Sequence, residues 1–144
     1  MAGKPDPADR LDAVALLSLL CGGRPTVPLY ICEIPGSPQP KERARTVGHR
    51  SFTPPRTVAA TKIVARALAA CVGGDPIEGD VAMVCLFYRI NRIRCDGDNL
   101  QKLLQDAGQG VAWVNDHAIK AWAGRMAVDA DAPRTVVAWC EMGR

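Results

Sequence analysis

The chain has 144 residues, 48% hydrophobic and 23% charged, which suits one compact domain and excludes wholesale disorder. The formal net charge is only +3, but it is unevenly spread. Residues 35–66 carry Lys41, Arg43, Arg45, Arg50, Arg56, Lys62 and Arg66 against Glu42, a net +6 that points to a polyanionic partner, usually nucleic acid.

Residues 1–24 read as an N-terminal extension, partly helical. Its first eight residues are polar and Pro-rich, and Asp9 is placed to cap a helix running to about Cys21. Gly22-Gly23 and Pro25 stop that helix. Its Leu-rich run, Val14 to Cys21, is too short to span a bilayer and follows Asp9 and Asp12 rather than a basic segment. No membrane segment or signal peptide is expected. Val27 to Ile34 predicts a strand, ended by Pro35-Gly36. Residues 35–56 hold five prolines, many basic groups and no steady period, so a long functional loop is expected. Thr57 to Val72 predicts a helix with Val58, Thr61, Val64, Ala65 and Leu68 as its apolar stripe. Gly79 to Ile90 predicts a strand, with Val81, Met83, Cys85 and Phe87 on one face and Ala82, Val84 and Leu86 on the other.

Asp98 to Ala107 predicts an amphipathic helix whose stripe is Leu100, Leu103, Leu104 and Ala107. Ile119 to Val128 and Thr135 to Met142 predict two strands joined by Asp129-Ala130-Asp131-Ala132-Pro133. The resulting order, β-α-β-α-β-β, describes a single α/β (α+β) domain with helices packed on a mixed sheet. The six cysteines form no C-x-x-C pair and only His49 and His117 are present, which argues against a zinc site of the usual spacing. Cys32, Cys85 and Cys140 lie in apolar runs and read as buried free thiols in a reducing cytoplasm.

The stretch Arg92-Ile93-Arg94-Cys95-Asp96-Gly97-Asp98-Asn99-Leu100-Gln101-Lys102 carries the chemistry. Asp96 and Asp98 bracket a glycine where a basic loop turns into a helix, and Lys102 lies one turn later. Asp116 follows at the end of Trp113-Val114-Asn115-Asp116. Three carboxylates suit hard, oxygen-seeking Mg²⁺ or Mn²⁺. Such ions would activate water and stabilise the leaving oxygen of a phosphodiester. Taken alone, Asp98 also fits a plain helix-start residue, Asp98 with Lys102 an exposed ion pair, and Asn115-Asp116 a turn.

This stretch resembles the RusA family of Holliday junction resolvases, whose D-x-D-N-x-x-K segment is matched by Asp96 to Lys102. That family's later acidic pair after an aromatic falls at Asn115-Asp116, and Asp106 falls where the family also has an Asp in its helix. Pro38-Gln39-Pro40-Lys41-Glu42-Arg43-Ala44-Arg45, followed by Phe52-Thr53-Pro54, is similar to the P-x-P-K-x-R-x-R loop of one branch. The resemblance covers residues 27–142 and sets the domain at 25–144. It implies a magnesium-dependent endonuclease acting on four-way DNA junctions as a homodimer, in a phage or prophage setting. Asp96, Asp98, Asp116 and Lys102 carry over as catalytic, and the three aspartates as metal ligands. Lys41, Arg43, Arg45, Arg56, Arg92 and Arg94 are the candidate phosphate contacts. Phe52 is a candidate to stack on a base or to anchor the loop, and Trp113, Trp122 and Trp139 to fill the core or a dimer interface. Asn115 stands where the family has a second carboxylate, which motivates one alternative: a non-catalytic module that binds branched DNA on the same fold.

Overall fold

The computed structural model describes residues 3–143. Its central sheet has four strands in the order β1-β6-β4-β5: β1 (Leu29–Pro35), β4 (Val81–Arg89), β5 (Ile119–Val128) and β6 (Arg134–Glu141). β4 runs parallel to β5 and antiparallel to β6, and β1 pairs antiparallel with β6. Val81 to Phe87 is buried without a break, because helices cover both faces of β4.

On one face lies α1 (Pro7–Cys21), whose Ala13 and Leu17 are fully buried against Ala82, Val84, Leu86, Val136 and Ala138. On the other lie α2 (Pro55–Val72) and α3 (Gly97–Ala107). Their Leu68, Leu100 and Leu104 pack on Met83, Cys85, Phe87, Val137 and Trp139. The α1 layer is also held by charge. Arg134 bonds Asp9 at 3.0 Å and Asp129 at 2.8 Å, and its guanidinium lies 3.8 Å from the centre of the Tyr88 ring. Tyr88 in turn donates to Asp9 at 2.6 Å. Each carboxylate oxygen of the buried Asp9 therefore meets a donor, which offsets the cost of burying its charge.

Two details depart from the sequence expectations. Asp6, not Asp9, caps α1: its side chain accepts the Asp9 N–H at 2.9 Å. Pro7 takes the first helical position, where its fixed φ and missing N–H cost nothing, and that moves the cap one residue ahead of it. Residues 35–56 are not all loop. β2 (Arg45–Val47) and β3 (Arg50–Phe52) form an antiparallel hairpin. A two-residue turn closes it, with Gly48 at φ 63°, a conformation that favours glycine. All six strand residues are exposed, so no apolar alternation marks them.

Candidate active site

β4, α3 and β5 form the unit that builds the site. β4 leads into the basic loop 90–95, α3 opens at Asp96, and the chain returns through a short 3-10 turn, Asp116–Ala118, into β5. The return is fixed by Trp113, which is fully buried and donates its indole N–H to the Gln105 carbonyl at 3.0 Å. Gly108 makes room for that ring, since a Cβ there would sit 2.2 Å from Trp113. This packing carries Asp116 back beside α3.

Asp96 takes the cap position of α3 but makes no side-chain cap bond, so helix formation leaves its carboxylate free. Asp98 lies in the first turn, where the helix dipole favours an anion. Both are exposed. Lys102 does not pair with Asp98. Its ammonium donates to Asp116 Oδ2 at 2.6 Å and lies 3.3 Å from Asp106 Oδ1. The hydrogen bond from Lys102 holds the Asp116 carboxyl below the usual carboxylate range, and the same bond raises Lys102. His117 Nε2 stands 3.9 Å from Asp116 Oδ1, a neighbour rather than a hydrogen-bonded base.

The oxygen donors suit a hard divalent cation, but their placement does not close around one. Among the described residues, no three His, Cys, Asp or Glu side chains converge at metal-holding distance. The helix rise of about 1.5 Å per residue sets Asp98 and Lys102 about 6 Å apart along α3, and Asp116 is engaged at the Lys102 level.

A second basic loop, between β1 and β2, lies over the start of α3. Its Lys41 N–H donates to the Asn99 carbonyl at 2.9 Å, and its Glu42 N–H to Thr57 Oγ1 of α2 at 3.1 Å. An open cleft of about 480 Å³ results, walled by Lys41, Arg43, Arg45, Arg94, Asp96 and Asn99. A second cleft of about 290 Å³ shares Arg94 and adds Arg56 and Arg89. Five of the sequence-predicted phosphate contacts, Lys41, Arg43, Arg45, Arg56 and Arg94, thus line clefts at or beside Asp96. Arg92 is exposed on the 90–95 loop but lines neither cleft. Lys41 has its ammonium paired with Asp106 Oδ2 at 2.7 Å. Phe52 is half-exposed on β3, Trp113 and Trp139 are fully buried, and Trp122 is exposed on β5.

The pairing of Asp106 with both lysines is the feature sequence reasoning missed. The Lys102–Asp106 spacing of four residues signals half of it. Nothing in the sequence signals Lys41, 65 residues away.

A family model described as Endodeoxyribonuclease RusA matches residues 35–138. No match was found among curated proteins. The family match runs from the basic loop to the last strand and takes in every side chain of the carboxylate site, so the chain belongs to the RusA endodeoxyribonuclease family, hydrolases of Holliday junctions.

Proposed function

We propose that the chain is a Mg²⁺-dependent nuclease that resolves four-way DNA junctions by paired phosphodiester cuts during recombination and repair. The observation that carries this reading is the exposed Asp96–Asp98 pair at the head of α3, set against a cleft lined by arginines. Carboxylates alone would repel DNA; Arg43, Arg45 and Arg94 bring the phosphate backbone to them. Asp96, Asp98 and Asp116 would hold the cation, with Mn²⁺ an acceptable substitute. Once bound, the cation supplies an activated water and a charge for the leaving oxygen. Lys102 offers its ammonium to the scissile phosphate.

Paired cuts on opposed strands ask for two sites in fixed relation, which a two-fold homodimer provides. The surface that fits a second copy is β5, at the end of the strand order. Its Trp122, Met126 and Val128 are all exposed on one face. An apolar edge strand of this length is a hazard unless another chain covers it. The expected setting is the bacterial cytoplasm, with a phage or prophage origin. No helix among the described residues is long and apolar enough to cross a membrane.

The test is Asp98→Asn. The reading predicts lost junction cleavage with retained or tighter junction binding, since a charge that repels phosphate is gone. Cleavage at the wild-type rate by this variant would sink the assignment.

A further inference from the structure

Asp106 lies at the centre of a chain of four charged side chains. Lys41 Nζ donates to its Oδ2 at 2.7 Å, and Lys102 Nζ stands 3.3 Å from its Oδ1. Lys102 continues to Asp116 at 2.6 Å. Gln109 Nε2 also reaches Oδ1, at 3.4 Å. The order along the chain is therefore ammonium, carboxylate, ammonium, carboxylate. The Asp106 side chain is 23% exposed, against 39% for Lys41 and 40% for Lys102, so the carboxylate is the less accessible partner in both pairs.

Two consequences follow from this placement. Lys102 has two carboxylate partners, and one of them, Asp116, is proposed to hold the cation. If Asp116 held the cation, Asp106 would remain as the carboxylate partner of Lys102 on α3 itself. Asp106 also reaches the basic loop through Lys41. The Lys41 backbone is bonded to Asn99 in the first turn of α3, and its side chain is bonded to Asp106 two turns later. One residue thus ties the loop to the helix at both levels.

We propose that Asp106 is the positioning residue of this site: it holds Lys102 ready for the scissile phosphate and clamps the basic loop to α3 through Lys41. The first half rests on the reading of α3 as the catalytic helix; the clamp does not. Asp106 is assigned no contact with the phosphate; its role runs through the two lysines that it pairs with.

The experiment compares the full chain with Asp106→Asn and Asp106→Glu. Asn keeps the shape and removes the charge, whereas Glu keeps the charge. One arm needs no activity. Lysines are acetylated with an N-hydroxysuccinimide ester at fixed pH and scored by peptide mass spectrometry, with Lys62 on the exposed side of α2 as the reference. Lys41 is expected to label about threefold slower than Lys62 in the wild type and in Asp106→Glu, and level with it in Asp106→Asn. Equal labelling of Lys41 in the wild type and Asp106→Asn overturns the clamp.

The second arm measures steady-state cleavage of a synthetic four-way junction with Mg²⁺. Asp106→Asn is expected to lower kcat about tenfold, with KM changed less, and Asp106→Glu to recover much of the loss. An unchanged kcat in Asp106→Asn overturns the positioning role. If the wild type cuts no junction, the functional reading fails instead, and the labelling arm still decides the clamp. Thermal melts screen for misfolding; Asp106→Ser replaces Asp106→Asn if the latter does not fold, with the same expectations.

Discussion

The division of labour in the basic loop predicts an unequal salt response. Each phosphate neutralised by a protein cation contributes about 0.9 to the slope of log affinity against log salt on duplex DNA. Arg43 is exposed, and the Arg45 side chain is 66% exposed with Glu42 no closer than 3.9 Å. Both are free to meet phosphate. Replacing both with Ala should therefore flatten the slope by about 1.8. Between 50 and 200 mM salt, a fourfold change, that corresponds to an affinity loss about 12-fold smaller than in the wild type. Lys41 is different, because Asp106 already neutralises its ammonium at 2.7 Å. Lys41→Ala should flatten the slope by no more than about 0.3. The assay is fluorescence anisotropy of a labelled four-way junction, titrated at several NaCl concentrations with chelator present to prevent cleavage. A full flattening by Lys41→Ala, or none by the double arginine variant, would refute the assignment of these roles.

Three further outcomes are expected. Leu17→Ala removes a fully buried side chain at the α1–sheet contact and should cost about 3 kcal/mol, or about 10 °C in Tm. Leu19→Ala, at a residue 78% exposed on the same helix, should stay within about 0.5 kcal/mol. Equal effects in calorimetry would show that α1 is not docked as described. Trp122→Glu places a charge on the exposed face of β5 and should convert a dimer to a monomer in analytical ultracentrifugation; an unchanged sedimentation coefficient would remove that surface from the account. The Lys102–Asp116 pair sets a pH window. Because Lys102 holds Asp116 below the usual carboxylate range, its stabilisation is complete above about pH 4 and lost as pH falls through the lowered value. Because Asp116 raises Lys102, the stabilisation persists up to the ordinary lysine range and is lost above it. The Tm difference between wild type and Asp116→Asn should therefore be flat from pH 5 to 9 and shrink below about pH 4. A difference that grows on acidification would contradict the pair.

Elements that bury a face were legible in the sequence. β4 reads as an unbroken apolar run because both of its faces are covered, and α3 reads from the spacing of Leu100, Leu103 and Leu104. The hairpin from Arg45 to Phe52 was not legible, because its strands face solvent on both sides and need no apolar alternation. In the candidate site, the local motif from Asp96 to Lys102 was legible as a motif at the start of α3. The partner of Lys102 did not follow from it. Spacing along one helix suggested Asp98, but Asp106 a turn further on and Asp116 across the Trp113 return take the ammonium. Lys41 likewise read as a free cation, since its neutralising carboxylate lies on a different element.

The most direct measurement is incubation of the wild-type chain with a synthetic four-way junction, a replication fork and a linear duplex, each with Mg²⁺ and with chelator. The account predicts paired, symmetrically placed nicks in the junction, much slower cutting of the fork and duplex, and no cutting of any substrate with chelator. A junction that is bound and shifted in a gel, yet stays intact with Mg²⁺, would contradict it.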